Sequence, residues 1–180
     1  MHEEIVISGT GGQGVLLIGR LLAEVGLLEG REVAWLPTYG AEKRGGTVAC
    51  NITISDDKVG ALFVTRPTAA VAMSPAALEK LEPIMKPGGL LIINKSMVTV
   101  KVKRDDIRVI YVPALEIAAE LENDSASNFV ILGALVSASS MVEKSSIMTA
   151  MESMFSPKYL ESNKQGFIKG YALGDGSHGN

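Results

Sequence analysis

The chain predicts an α/β fold, a three-layer sandwich around a largely parallel, Rossmann-like sheet. Three observations carry this expectation. Apolar or β-branched runs alternate with helix-length amphipathic stretches through most of the 180 residues, the pattern of successive βαβ units. Segments such as Ile5–Ile7, Ala69–Met73 and Leu90–Asn94 are apolar almost throughout, as in strands covered on both faces. Two glycine-rich segments, Ser8–Gly14 and Thr38–Gly46, each follow a strand and flank one helix-length stretch. Both turns then emerge at the same edge of the sheet.

In order, Glu4–Ser8 is the first strand and Gln13–Leu28 the first helix, with Val15, Leu16, Ile18, Leu22 and Val25 at helical spacing and a stop toward Gly30. Arg31–Leu36 is the second strand, followed by a long loop through Gly46. Thr47–Ile54, rich in β-branched residues, is a third strand closed by the turn Ser55–Lys58. Ala69–Met73 is a short buried strand. Ser74 as N-cap and Pro75 at the first helical position open a helix to about Met85, and Lys86–Gly89 stops it. Leu90–Asn94 and Arg108–Val112 complete the strands. The remainder is helical: Pro113 to about Glu122, Ser127 to about Val142, Lys144 to Phe155, and about Tyr159 to Tyr171. No repeat or linker divides the chain, so residues 1–173 make one domain and residues 174–180 a loose tail.

Composition narrows the function. The chain is 47% hydrophobic but only 5% aromatic, so its core relies on aliphatic residues and eight Met. Net charge is −3 with a pI near 5.5, and no basic stripe interleaves with aromatics, which argues against nucleic acid. No apolar run approaches the roughly 18 residues that cross a bilayer, and the acidic start Met1–Glu4 leads straight into a strand. With one cysteine, Cys50, the reading is a cytoplasmic protein. His2 and His178 lie at the chain ends, where an imidazole is poorly placed to serve a nucleophile. One cysteine cannot hold an iron–sulfur cluster, and no zinc spacing occurs. Unaided covalent, redox or metal chemistry is not expected.

The first glycine segment, Gly9, Thr10, Gly11, Gly12, Gln13 and Gly14, satisfies G-x-G-x-x-G between a strand and a helix. Free N–H groups and the helix dipole there attract an anion, while glycines allow close approach. A nicotinamide enzyme would end its second strand in a carboxylate for the ribose, and here that strand ends in Trp35, Leu36 and Pro37. The glycines could equally serve tight packing of helix on strand. The second segment combines Tyr39, Gly40, Glu42, Lys43, Arg44, Gly45 and Gly46. Arg44 can fork onto a phosphate or carboxylate; the alternative is a solvated loop. Cys50 reads as a small buried hydrophobe.

Ile7-x-Gly9-x-Gly11-Gly12-Gln13-Gly14-Val15 followed by Tyr39-Gly40-x-Glu42-x-Arg44-Gly45-Gly46 resembles the gamma subunit of 2-oxoacid:ferredoxin oxidoreductases. Val112-Pro113-Ala114 with Ala118, Asn128 with Leu132-Gly133-Ala134, and Glu161, Asn163, Phe167, Gly170 and Tyr171 extend the resemblance along essentially the whole chain. Trp35–Gly40 and Lys86–Gly89 look most like the 2-oxoglutarate branch. The resemblance implies a subunit, inactive alone, of an enzyme that decarboxylates a 2-oxoacid, transfers the acyl group to coenzyme A and reduces ferredoxin. Its partners would be the alpha, beta and ferredoxin-like delta subunits, with thiamine diphosphate and iron–sulfur clusters held there.

On this reading the cofactor-facing residues are Gly9, Gly11, Gly12, Gln13, Gly14, Tyr39, Gly40, Glu42, Arg44, Gly45, Gly46 and Asn128, closing over or binding the phosphates of coenzyme A. A purely architectural role competes: the apolar helix Ser127–Val142 would dock the domain on its partners, or else be a central core helix. A free-standing Rossmann-like nucleotide-binding protein or small oxidoreductase is the reading from outside the family, and the isolated chain could also self-associate.

Overall fold

The computed structural model describes residues 1–41 and 46–174. These form a six-stranded mixed sheet with helices on both faces, in the strand order β2-β3-β1-β4-β5-β6. The strands are β1 (His2–Thr10), β2 (Glu32–Tyr39), β3 (Thr47–Ser55), β4 (Ala69–Ala72), β5 (Leu90–Asn94) and β6 (Arg108–Val112). The helices are α1 (Val15–Leu28), α2 (Pro75–Leu81), α3 (Ala114–Glu120), α4 (Ser127–Ser139), α5 (Lys144–Met154) and α6 (Pro157–Gly174), and short 3₁₀ turns follow α2 and precede α4.

β1, β4, β5 and β6 pair in parallel, and β3 runs antiparallel between β1 and β2. The simple βαβ picture is corrected here: β1 and β2 point the same way but are not neighbours. A loop of residues 40–46 is too short for the dozen or more residues a parallel crossover needs, so the chain turns back as a hairpin and fills the gap. The consequence for the two glycine loops is unchanged. Both leave the carboxyl ends of co-directional strands and meet at one edge.

β2 also runs three residues farther than the sequence suggests, through Pro37 to Tyr39. Proline inside a strand is tolerated because β2 is the sheet margin, where a missing N–H need not break the ladder. In contrast, β4 and β5 are buried at every position, which explains their unbroken apolar sequences.

Burial divides the core into two layers. On one face, Ile5, Ile7, Ile52, Ile54, Val71 and Ile92 pack against α1, α4, α5 and α6. On the other, Val6, Ala70, Ala72, Leu91 and Ile93 meet Leu78, Leu81, Met85, Val64 and Val98. Helix α4 is buried continuously from Asn128 to Val136, so it is a core helix. The docking role considered for Ser127–Val142 is excluded: a helix apolar around its whole circumference has been covered by its own chain.

α4 and α6 cross at van der Waals contact through glycine. A Cβ on Gly170 would stand 1.9 Å from the Val130 carbonyl oxygen, and one on Gly133 would stand 2.1 Å from that of Phe167. Gly174 belongs to α6 and not to the tail, whose remaining residues 175–180 lie outside the described residues. Arg108 on the marginal strand β6 donates to the carbonyls of Ala138 at 3.0 Å and Gly174 at 3.2 Å, placing a cation at the C-terminal ends of both helices. Cys50 is fully buried against α1, and desolvation pushes its thiol up to about 12.

Candidate functional site

The edge where the two glycine loops meet is built from four segments. β1 ends at Thr10, and residues 11–14 turn into α1. Gly14 is the N-cap in a left-handed conformation (φ 75°, ψ 17°), which glycine adopts without the cost a Cβ would bring. Gly14 has no side chain to cap α1, and no acidic residue occupies the first turn of the helix. Among the described residues no carboxylate meets its positive end.

Several loop donors are already engaged. Gly11 N–H donates to the Gly46 carbonyl at 3.3 Å, Gln13 N–H donates to the Thr10 carbonyl at 3.3 Å, and Gly40 N–H donates to the Thr47 carbonyl at 2.6 Å. The N–H groups of Gly12 and Gly14 have no partner among the described residues. A groove of about 410 Å³ opens over Gly11, Gly12, Gly14, Tyr39 and Val48, and no charged side chain lines it among the described residues. What the described lining offers a ligand is hydrogen-bond donors, a positive helix end and the phenol of Tyr39.

Tyr39, the last residue of β2, is 69% exposed and lines this groove. It also lines a second cleft of about 290 Å³ on the opposite face of the sheet, with Ser8, Asn51, Phe63 and Ile84. One phenol thus borders two openings at the same edge. The strand that carries it ends without a carboxylate, so the ribose ligand of a nicotinamide site is missing, as its sequence indicates.

Asn128 enters from α4. It is 6% exposed, and a Cβ on Gly14 would lie 1.9 Å from its Nδ2, so the amide packs directly under the loop. Its Oδ1 is buried and has no hydrogen-bond partner among the described residues. A buried amide oxygen left unpaired costs on the order of 1–3 kcal/mol.

The structure thus brings together Gly9, Gly11, Gly12, Gln13, Gly14, Tyr39, Gly40, Gly46 and Asn128. Glu42, Arg44 and Gly45, singled out with them, lie outside the described residues. Gln13 is turned inward: its Oε1 accepts from Thr10 N–H at 2.7 Å and its Nε2 donates to the Met73 carbonyl at 2.8 Å. Met73 is a participant that sequence reasoning missed, because a backbone carbonyl leaves no residue-type signal. Asn94, at the carboxyl end of β5, is also buried, and its Oδ1 has no partner among the described residues. A polar residue closing the apolar run Leu90–Ile93 was the available clue.

Comparison with known proteins gives a consistent pattern. Residues 4–173 match the family described as pyruvate ferredoxin/flavodoxin oxidoreductase. The chain is 38% identical over 132 residues to the ketoisovalerate oxidoreductase subunit VorA of Methanothermobacter marburgensis, a match covering 73% of this chain and 27% of that protein. This chain thus spans about a quarter of the length of that relative. It is 32% identical over 176 residues to the 2-oxoglutarate synthase subunit KorC of Methanocaldococcus jannaschii, covering 96% of this chain and 94% of that one. Among solved structures, the gamma subunit of a keto/oxoacid ferredoxin oxidoreductase from Geobacter sulfurreducens superposes with a TM-score of 0.84 at 26% identity, covering 97% and 99% of the two chains.

Proposed function

Because the chain belongs to the pyruvate ferredoxin/flavodoxin oxidoreductase family, we propose that it is the gamma subunit of a cytoplasmic, multisubunit 2-oxoacid:ferredoxin oxidoreductase. We take 2-oxoglutarate as the substrate and the glycine rim as a seat for the phosphates of coenzyme A. The 2-oxoglutarate choice rests on the likeness of Trp35–Gly40 and Lys86–Gly89 to that branch; near-complete coverage is shared by a 2-oxoglutarate synthase subunit and by the common gamma subunit of pyruvate and ketoisovalerate oxidoreductases. Alpha, beta and ferredoxin-like subunits would supply thiamine diphosphate, the iron–sulfur clusters and the route to ferredoxin.

One observation carries the coenzyme A reading: the uncapped N-terminus of α1 opens into a groove whose floor is glycine backbone tied to the second loop. Such a surface suits a diphosphate. Unpaired N–H groups and the helix dipole attract its charge, and no Cβ holds its oxygens away. Arg44 on the second loop would add a forked cation, and Tyr39 would border the ligand as it leaves the groove. The chain's task on this reading is to bind and orient coenzyme A while the acyl chemistry proceeds on the partner subunits.

The test is purification of the chain with its native partners, followed by assay of 2-oxoacid- and coenzyme A-dependent reduction of a low-potential acceptor. Co-purification with activity is expected, and 2-oxoglutarate should be turned over in preference to branched-chain oxoacids. Arg44→Ala should raise the KM for coenzyme A about tenfold with little change in kcat, the loss of one charge-assisted contact. An unchanged KM would reject the phosphate role. A chain that purifies alone and binds a nucleotide would favour a free-standing nucleotide-binding protein.

A further inference from the structure

We propose that Gln13 is a positioning residue, which shapes the glycine rim through a clamp onto the end of β4 and does not itself contact the ligand. The proposal rests on the reading of that rim as the coenzyme A seat.

The clamp is defined by both ends of one amide. Gln13 Oε1 accepts the N–H of Thr10 at 2.7 Å, and Nε2 donates to the carbonyl of Met73 at 2.8 Å. An N–H must meet the oxygen and a carbonyl must meet the NH₂, so the two partners fix which way the amide points. Met73 N–H in turn donates to the Ser8 carbonyl at 2.9 Å. The ends of β1 and β4 are thereby joined twice, directly by the Met73 N–H and through the Gln13 amide by two hydrogen bonds in series. They are joined where the sheet order reverses: the chain moves from β1 to one side of the sheet, then returns to lay β4 on the other.

The surroundings are shaped for this side chain. A Cβ on Gly9 would stand 2.4 Å from Gln13 Oε1 and 2.9 Å from Met73 Cβ, so the space above Gly9 is occupied by the folded-back amide. With the amide turned under the loop, Gly11, Gly12 and Gly14 line the groove from this turn and Gln13 does not. Glutamate could still accept from Thr10 but has no proton for the Met73 carbonyl, and alanine offers neither group.

The experiment compares wild type, Gln13→Ala and Gln13→Glu in the assembled enzyme, measuring the KM and kcat for coenzyme A. Hydrogen exchange by mass spectrometry follows residues 8–14 with and without coenzyme A. The near-isosteric glutamate keeps the test open if the alanine variant folds poorly. Both variants should raise the KM about tenfold at unchanged kcat, the loss of one or two hydrogen bonds' worth of loop order. Exchange over residues 8–14 should quicken even without ligand.

A raised KM with wild-type exchange would make Gln13 a ligand contact and overturn the proposal. Unchanged KM and exchange in both variants would overturn it as well. If coenzyme A fails to slow exchange of this segment in the wild type, the rim reading falls first and takes the proposal with it. That outcome is distinct from one in which the wild type responds and the variants match it.

Discussion

Gly11 donates its N–H to the carbonyl of Gly46 at 3.3 Å, so the two glycine loops are hydrogen-bonded to each other. The bond joins the turn after β1 to the turn between β2 and β3. It exists because β3 lies between those strands and brings Thr47 opposite Thr10. A rim assembled before a ligand arrives avoids part of the ordering cost of binding.

Gly14→Ala should destabilise the protein through two separate causes. The left-handed backbone costs a residue with a Cβ about 1–2 kcal/mol, and that Cβ would stand 1.9 Å from Asn128 Nδ2. A loss of about 2–3 kcal/mol corresponds to a fall in Tm of roughly 4–12 °C for a chain of this size. Combining it with Asn128→Ala should recover about 1 kcal/mol or more, since the truncated side chain no longer opposes the new methyl. Thermal melts of the two single variants and the double variant check this. Strict additivity would refute the contact.

Gly170→Ala should be more damaging than its size suggests. The new methyl would lie 1.9 Å from the Val130 carbonyl oxygen, a backbone atom that moves only if α4 and α6 separate. Overpacking of this kind costs about 1–3 kcal/mol or more. Gly60→Ala is the control: a Cβ there meets nothing within 4 Å, and the backbone is not left-handed. Its Tm should stay level or rise slightly.

Cys50 makes stability depend on alkaline pH. Burial raises its thiol from an ordinary 9.0 to about 12. Between those values the unfolded chain loses the proton while the native chain keeps it. The stabilisation is therefore complete below about pH 9 and declines as pH rises toward 12, at up to about 1.4 kcal/mol per unit. Wild type should lose stability faster than Cys50→Ala across pH 9–11 in denaturant titrations. Parallel slopes would show that the thiol is not sequestered. At pH 8 the native thiol should react with a labelling reagent only as fast as the protein opens.

The sequence by itself determined what is local. Ser74 and Pro75 begin α2 as expected, with Ser74 Oγ accepting from Ala77 N–H at 3.2 Å, because a cap is complete within four residues. β5 lies at Leu90–Asn94 because an unbroken apolar run ended by polar residues is enough to mark a doubly covered strand. The paired glycine motifs were legible for the same reason, and the family they suggest is the one matched by residues 4–173.

Only the tertiary structure decided what depends on distant partners. The apolar sequence of α4 is the same whether its cover comes from another protein or from α6 and the sheet, and the fold supplies the cover internally. Strand order was hidden because β-pairing joins segments far apart in sequence: the placement of β3 between β1 and β2 follows from a short loop and a register, not from β3's own residues. The site shows the same division. Glycine spacing marked the loop, but the Met73 carbonyl that holds Gln13 and the Asn128 amide beneath Gly14 meet it only once the sheet and α4 have closed around it.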